Sequence, residues 1–152
     1  MQVKNFMNPH VVSVLPTTPL PKLWDIIAKK HLHALPIIDK NKKILGFIAK
    51  EDFLARLYPS YVEGEEIPTE SDSDIEIITK LEKLKQMSAK DIMNTNIVFT
   101  RTDTNVMRAL SRMIIRKVRQ LPVLDEKDRV VGMLSKADVF AGLFKRKFKV
   151  SS

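Results

Sequence analysis

The sequence contains no cysteine, which excludes disulfide bonds, a thiolate nucleophile and cysteine-bound metals. It has only four glycines, too few for a glycine-rich phosphate-binding loop. No apolar run approaches the roughly 18 residues of a membrane-spanning helix, and the N-terminal residues lack the apolar core of a secretory signal. We therefore expect a cytoplasmic protein without a membrane partner.

Patterns of catalytic and metal-binding residues are also missing. His31 and His33 are two residues apart, which is not the spacing by which one helix face presents two metal ligands. Ser13 and Ser135 have no convincing base partner, and no nucleophile-elbow motif occurs. The sequence thus predicts a protein that is not an enzyme, holds no metal and requires no cofactor.

The charge is unevenly distributed along the chain. The net charge is +8, yet seven of the 18 acidic residues lie between Pro59 and Glu76, a stretch without Lys or Arg. The remainder carries all 26 basic residues against 11 acidic ones. Such a basic body indicates nucleic acid, anionic lipid or a phosphorylated small molecule as partner. Solvated surface lysine explains the charge equally well.

The sequence repeats itself at a constant offset of 86 residues over about 55 residues. Segments that coincide are 4–8 with 90–94, Leu35-Pro36 with Leu121-Pro122, Gly46 with Gly132, Lys50 with Lys136, and Asp52 with Asp138. Positions that differ mostly keep their apolar character. The chain is therefore a duplicated unit.

Each copy has the pattern of a β-α-β-β-α unit. In the first copy an extended stretch over 10–14 precedes a helix that begins at Thr18-Pro19, where a cap residue is followed by proline. Strands at 35–38 and 43–48 flank a polar turn and predict a hairpin, and a helix follows over about 50–58. The second copy predicts a stretch at 96–100 and a closing helix over 136–145. Since one such unit buries too little apolar surface to be reliably stable alone, we expect an α+β fold of two repeats packed as a pseudo-twofold pair.

The repeats divide the chain into four segments. We predict a first repeat at 1–58, an acidic linker and amphipathic helix at 59–88, a second repeat at 89–145 and a basic tail at 146–152. The helix is predicted over about 74–86, with a capping box at Ser73 to Glu76. Its apolar stripe consists of Ile77, Ile78, Leu81 and Leu84. We favour packing of this stripe against its own domain, with contact to a partner as the alternative.

A candidate binding constellation follows the last predicted strand. Ser135 and Asp138 are three residues apart, so on a helix they share a face, and Lys136 lies between them. A carboxylate can accept two hydrogen bonds from the vicinal hydroxyls of ribose. The same S-x-x-D pattern is also a plain helix cap. In the first copy Ala49 replaces the serine while Asp52 remains, which we take to favour the ligand interpretation.

These features resemble a tandem pair of CBS domains, the regulatory module of the cystathionine-beta-synthase type. The resemblance rests on the order of elements at constant offset, on LPIID and LPVLD, on the glycine in the second hairpin strand and on the closing [ST]-x-x-D. It implies two pseudo-symmetric clefts between the repeats, frequent dimerisation, and adenosine ligands such as AMP, ADP, ATP or S-adenosylmethionine compounds.

By the same resemblance, each cleft acquires a set of ligand-binding residues. Asp138 with Ser135 would hold ribose in one cleft and Asp52 in the other, where Ala49 departs from the pattern and indicates a weaker site. The residues implied to lie on the phosphate side are His33, Arg119, Lys50 and Lys136, and those implied to enclose adenine are Met7, Val12, Met93 and Val98. We expect His33 to serve the cleft of Asp138.

The sequence therefore favours a non-enzymatic adenosine sensor, a homodimer acting on an unidentified regulated protein. A nucleic-acid-binding domain is the less favoured alternative, because its support is charge alone. The chain has ten aromatic residues without the clustering expected of a single-strand platform. A scaffold with empty clefts is a third option.

Overall fold

The structure is a computed structural model and describes residues 1–57 and 70–149, with only the backbone of Glu70–Ser73. The helices are α1 Leu20–Lys29, α2 Lys50–Leu57, α3 Glu70–Leu84, α4 Ala89–Ile92, α5 Val106–Arg116 and α6 Lys136–Phe148, preceded by a 3-10 turn at Val3–Asn5. The strands are β1 Ala34–Ile38, β2 Ile44–Ala49, β3 Thr100–Arg101, β4 Gln120–Leu124 and β5 Val130–Ser135. The predicted α+β class is confirmed. The predicted acidic stretch 59–69 and the residues from 150 onward lie outside the described residues.

The chain forms two compact units that exchange their N-terminal segments. Unit 1 comprises Met1–Val12, Lys40–Ile44 and Asn96–Ser152, and unit 2 comprises Ser13–Asp39 and Leu45–Thr95. The leading segment of each repeat therefore packs with the rest of the other repeat.

Unit 2 is built on the hairpin of β1 and β2. Val14 adds a parallel bridge to Ile37 beside this hairpin. Leu23 and Ile27 of α1 bury their side chains against these strands because they lie on one face of the helix. Ala89 and Ile92 of α4 complete the same apolar core.

Unit 1 repeats this arrangement in a three-stranded sheet of order β3-β4-β5. Thr100 of β3 pairs in parallel with Val123 of β4, at the positions equivalent to Val14 and Ile37, while β4 and β5 are antiparallel. Val3 and Phe6 from the N-terminal segment are buried in its core. The duplicated sequence thus produces duplicated local structure.

Equivalent backbone hydrogen bonds hold the leading segment in each unit. In unit 1 the N–H of Val3 donates to Thr104 at 2.9 Å, and that of Val106 donates to Met1 at 3.0 Å. In unit 2 the N–H of Ala89 donates to Thr18 at 2.9 Å, and that of Leu20 donates to Met87 at 3.0 Å. Each of the two bonds in unit 1 corresponds to one of the two in unit 2 at an offset of 86 residues. Each leading segment therefore caps the first helix of its unit in the same way.

Most predicted elements are confirmed, while several boundaries differ. Both hairpins form where the sequence predicts them. Helix α1 begins after Pro19, which occupies the cap position with extended backbone, so Thr18 does not cap it as predicted. Helix α6 continues to Phe148, beyond the predicted end at 145, because nothing in Arg146 to Phe148 interrupts a helix.

The predicted packing of the insert helix against its own domain is confirmed for Leu84, whereas Ile77 is half-buried and Ile78 and Leu81 are exposed. Helix α3 begins at Glu70, so the supposed capping box lies inside the helix. Leu84 is buried in the core of unit 2, but Ile78 is 61% and Leu81 48% exposed. Ile75, outside the predicted stripe, is 71% exposed. No helix in the described ranges is long and apolar enough to cross a membrane.

Candidate functional site

The Ser135–Asp138 pair lies where β5 runs into α6, and it forms a reciprocal cap. The N–H of Asp138 donates to the Ser135 hydroxyl at 3.0 Å, and the N–H of Ser135 donates to Oδ2 of Asp138 at 2.8 Å. These bonds satisfy two backbone donors that a helix start otherwise leaves free. Among the described residues no donor reaches Oδ1 of Asp138, so this oxygen can accept a bond from a ligand.

The equivalent position in unit 2 keeps half of this cap. The N–H of Ala49 donates to Oδ2 of Asp52 at 2.7 Å at the junction of β2 and α2. Ala49 has no hydroxyl to return a bond to the helix. The carboxylate therefore has a capping role without the serine, and its retention in the first copy does not by itself favour a ligand, contrary to our inference from the sequence.

A third carboxylate gives an internal reference for the capping role. Ser88 and Asp91 at the start of α4 form the same box, with the Ser88 N–H at 2.8 Å from Oδ2 of Asp91. This pair stands outside the closing [ST]-x-x-D of either repeat. Variants of Asp91 can thus separate capping from any further role of Asp138.

Arg119 and Lys136 lie at the same end of the sheet in unit 1 as Asp138. Gln120 pairs with Ser135 in the antiparallel register of β4 and β5, so Arg119, just before β4, is beside the start of α6. The Arg119 side chain is exposed, and that of Lys136 is half-buried. Two cations and a carboxylate therefore surround one helix N-terminus, which itself favours anions.

Two methionines pack on the two strand glycines, one in each unit. A Cβ on Gly132 would collide with the side chain of Met7, and a Cβ on Gly46 would collide with that of Met93. Asn8 pairs with Met133 of β5, which fixes the segment that carries Met7. Met7 therefore belongs to the unit of Asp138 and Met93 to the unit of Asp52.

The remaining predicted residues divide between the units. Val12 and Val98 are half-buried in unit 1. His33 and Lys50 are in unit 2, where the N–H of Lys50 donates to the carbonyl of His33 at 3.0 Å. The assignment of His33 to the site of Asp138 stays a prediction. No three His, Asp or Glu residues group as metal ligands within 1–57 and 70–149.

A groove of about 170 Å³ in unit 1 contains residues that sequence reasoning missed. Arg112 and Arg116 of α5 line it together with Ile97, Val98 and Phe99. The Arg112 guanidinium donates to the carbonyl of Phe99, which holds it against the groove wall. The four-residue spacing of the two arginines, within the first helical part of the second β-α-β-β-α unit, was the available signal.

Burial raises the pKa of the Asp52 carboxyl above its usual value, with a smaller contribution in the same direction from Glu51. The hydrogen bond from the Ala49 N–H opposes this effect without cancelling it. The reference carboxyl Asp91 behaves oppositely, because the hydrogen bond from the Ser88 N–H lowers its pKa. Asp52 is thus an acid whose charged form the fold disfavours.

We predict that Asp52→Asn is at least as stable as the parent at pH 7. A raised folded pKa contributes stability that is fully present below the unfolded pKa and is lost as pH rises through the folded pKa. Asparagine does not ionise, so the variant does not lose this stability as the pH rises, and its amide oxygen can still accept a hydrogen bond from the Ala49 N–H. Urea unfolding from pH 3 to pH 7 measures the difference, which should widen with rising pH.

Asp91→Asn is the matched control because its linkage has the opposite sign. Its lowered pKa contributes stability above the unfolded pKa that is lost as pH falls through the folded value. The Asn variant should therefore be less stable than the parent at pH 7 and converge on it in acid. An Asp52→Asn variant that follows the same course as Asp91→Asn would contradict the inferred pKa direction.

Comparison with known families agrees with this duplicated architecture. The family model described as CBS domain matches residues 3–59 and again residues 89–145. The chain belongs to the CBS domain family. The predicted resemblance is confirmed, and the chain is a tandem CBS pair. No catalytic family is indicated.

Relatives of this CBS pair cover nearly its whole length. A CBS domain-containing protein of Dictyostelium discoideum is 28% identical over 144 residues, 94% of this chain and 91% of the relative. The crystal structure of CBSX2 in complex with AMP is 26% identical with a TM-score of 0.75, and the match covers 96% of this chain and 98% of that one. CBSX2 is a CBS-pair protein of Arabidopsis thaliana.

A more distant structure shares the fold. The CBS domain pair of protein MJ0100 was crystallised with 5′-methylthioadenosine and S-adenosyl-L-methionine. It is 20% identical to this chain with a TM-score of 0.68, covering 97% of this chain and 98% of that one. Adenosine compounds are thus bound by two CBS pairs of the same fold.

Proposed function

We propose that this CBS pair is a non-enzymatic regulatory module that binds an adenosine-containing ligand, of the AMP, ADP, ATP or S-adenosylmethionine type. The proposal rests on the hydrogen bonding of the Asp138 carboxylate at the start of α6. One of its oxygens caps α6, and the other accepts no hydrogen bond from the described residues. The AMP bound by CBSX2, at 26% identity, supports the choice of ligand class.

The cap orients the proposed ribose-binding group. Because Oδ2 is held by the Ser135 N–H, the plane of the carboxylate is set before a ligand arrives. A preoriented acceptor loses less side-chain entropy on binding than a mobile one. Oδ1 can then accept hydrogen bonds from the ribose hydroxyls, since an ionised carboxylate oxygen is purely an acceptor.

The cations of unit 1 favour a ligand that carries phosphate. Arg119 and Lys136 are beside the start of α6, and Arg112 and Arg116 are beside Val98, one of the residues proposed to enclose adenine. Guanidinium groups form bidentate, charge-assisted hydrogen bonds with phosphate. AMP, ADP or ATP therefore suit unit 1 better than uncharged adenosine.

The two carboxylates are proposed to form unequal sites. Asp138 has the serine hydroxyl that completes its cap, whereas Asp52 is paired with Ala49 and is costly to ionise. We assign the stronger site to Asp138 with Ser135, Lys136, Arg119, Met7, Val12 and Val98, and the weaker one to Asp52 with Lys50 and Met93.

Regulation would follow from differential binding. A ligand shifts the equilibrium between two conformations only as far as it binds one better than the other. We propose a homodimer as the signalling form, in which nucleotide binding changes the conformation presented to a regulated protein.

The proposal predicts that adenine nucleotides raise the melting temperature in a concentration-dependent way, because a ligand that binds only the folded state stabilises it. Thermal unfolding of the full chain with AMP, ADP, ATP or S-adenosylmethionine at millimolar levels tests this. GMP at the same concentration controls for the base, and inorganic phosphate controls for simple anion binding. Unchanged melting with all four adenosine compounds would contradict the proposal, as would an equal shift with phosphate alone.

A further inference from the structure

Unit 1 carries a large excess of positive charge. Its segments contain 17 of the 26 basic residues but only five of the 18 acidic ones, whereas unit 2 contains nine basic and 13 acidic residues. Three of the five acids in unit 1 have partners within the unit, because Asp125 and Asp128 form ion pairs and Asp138 caps α6. Such an excess attracts polyanions, and a binding site for one requires that the cations be grouped.

Three arginines are grouped on one face of α5. Arg108, Arg112 and Arg116 are exposed and four residues apart, so they follow one another along the helix at intervals of about 6 Å. We call them the arginine stripe. Helix α5 contains no acidic residue, and Asp103, just before it, forms no ion pair with the stripe in the described ranges. Within the same ranges Arg108 and Arg116 form no hydrogen bond or ion pair, so their guanidinium groups can bind an external anion.

The stability of α5 does not explain the arginine stripe. Like charges four residues apart on a helix repel one another and destabilise it. Arg108 also lies in the first turn, where the helix dipole favours acidic side chains over basic ones. Of the three, only Arg116 in the last turn is placed favourably for the dipole. An anion bound along the stripe would offset both unfavourable interactions.

The apolar groove of unit 1 borders this stripe. Arg112 and Arg116 line it together with Ile97, Val98 and Phe99, and its volume is about 170 Å³. Since an apolar cavity of about 150 Å³ can hold one benzene ring, the groove has room for one planar ring. The flat guanidinium groups beside it can stack on such a ring. The groove therefore suits the aromatic part of a ligand and the stripe its anionic part.

We propose that the arginine stripe and its groove bind single-stranded nucleic acid, with phosphates on the guanidinium groups and one base in the groove. A single strand combines planar bases with a regular row of phosphates, and proteins bind it through cationic grooves and stacking side chains. Guanidinium groups form bidentate hydrogen bonds with phosphate. In a duplex the bases are paired and stacked, so they cannot enter the groove.

The strand site goes beyond the proposed adenosine function. Arg108 does not line the groove, so a ligand that contacts the whole stripe extends past a single nucleotide. In the sequence this class of ligand was supported by charge alone. The row of arginines and the ring-sized groove beside it add the geometry that the charge lacked.

Fluorescence anisotropy of the full chain with a labelled oligothymidylate of about 12 nucleotides tests the proposal. We expect a dissociation constant of about 1–100 μM at physiological salt, the range of non-specific binding. Combining Arg108→Gln, Arg112→Gln and Arg116→Gln should weaken binding at least about tenfold. It should also reduce the slope of log affinity against log salt by about 2, because each phosphate contact to a single strand contributes about 0.7.

A matched variant controls for loss of charge as such. Lys4→Gln, Lys127→Gln and Lys145→Gln together remove three exposed cations of unit 1 that lie outside α5. This triple variant should lose less than about threefold in affinity, because charges outside the contact are largely screened by salt. Arg108→Gln alone should keep or raise the melting temperature of the free protein at low salt, since it removes an unfavourable cation from the first turn.

Three further probes identify what the site binds. An abasic oligomer of the same length should bind at least about fivefold more weakly, because it lacks the base that stacks in the groove. Polyglutamate of equal charge represents an acidic peptide, and the oligothymidylate annealed to its complement represents a duplex. Both should bind more weakly than the single strand.

Several results would overturn the proposal. They are a parent that does not bind the strand, equal losses in the two triple variants, an abasic oligomer, polyglutamate or duplex bound as tightly as the strand, and a lowered melting temperature of Arg108→Gln. The adenosine function is tested separately, because Asp138→Ala should bind the strand like the parent and Arg108→Gln should keep any nucleotide-induced shift. Strand binding without any effect of adenosine compounds on melting would count against the proposed function alone.

Discussion

Asp138→Ala is expected to abolish most of the nucleotide-induced rise in melting temperature. The substitution removes the Oδ1 that is proposed to bind ribose and the Oδ2 that accepts the Ser135 N–H. Hydrogen bonds to charged groups contribute about 1.5–3 kcal/mol each, so loss of the ribose contacts should weaken binding about tenfold to a hundredfold or more. Isothermal titration with the nucleotide that gives the largest shift measures this loss.

The helix cap requires its own control, because Asp138→Ala also leaves the start of α6 less well capped. Loss of such a cap typically costs about 1 kcal/mol in stability. Asp91→Ala removes a carboxylate with the same capping geometry at the start of α4, outside the proposed sites. It should lower the melting temperature of the free protein and leave the nucleotide shift intact.

Asp138→Asn refines the comparison. Its amide oxygen can accept the Ser135 N–H, so the free protein should remain near the parent in stability. The side chain then loses its charge and has only one oxygen, so nucleotide affinity should still fall. Parent-like nucleotide affinity in both Asp138 variants would remove this residue from the site.

Gly142→Ala is expected to destabilise the protein by about 1–3 kcal/mol, which is the usual cost of overpacking. In an ordinary helix interior the same change would stabilise by about 1 kcal/mol, because alanine has the higher helix propensity. In α6, however, a Cβ at position 142 would overlap the ring of Phe6. That ring is buried in the core of unit 1, and the guanidinium of Arg146 lies 4.8 Å from its centroid.

A double-mutant cycle tests the cause of this sign reversal. Phe6→Leu removes the planar ring and should cost stability by itself, since it leaves a cavity in the core. Combined with Gly142→Ala, it should cost less than the sum of the two changes, because the methyl group then occupies the freed space. Chemical denaturation of the four proteins measures the coupling. Additive effects, or stabilisation by Gly142→Ala alone, would show that Phe6 does not restrict this position.

The sequence by itself determined the duplicated architecture. The constant offset of 86, with Leu-Pro in the first strand of each hairpin and a glycine in the second, predicted the repeats, both hairpins and the CBS family. These features are local, since turn chemistry and apolar alternation act within a few residues. The closing carboxylates, Asp52 and Asp138, were equally visible as potential caps at strand-to-helix junctions.

The partner of each leading segment was decided only by tertiary structure. The segments 4–8 and 90–94 are identical at three of five positions, and no local pattern shows which repeat each one contacts. The fold places Met7 on Gly132 and Met93 on Gly46, which assigns each methionine to the carboxylate of the other repeat. Such pairing between segments far apart in the sequence depends on the apolar surfaces that the whole fold buries, which a local sequence pattern does not show.

The environments of Asp52 and of helix α3 also required the tertiary structure. The sequence showed that Ala49 stands where the second copy has the serine that pairs with the aspartate. In the structure the Asp52 carboxylate accepts a hydrogen bond from the Ala49 N–H, and burial raises its pKa. An amphipathic helix looks the same whether its stripe is covered or exposed. In α3 the side chain of Leu84 is buried and those of Ile75, Ile78 and Leu81 are exposed, because only the C-terminal end of the helix reaches the core of unit 2.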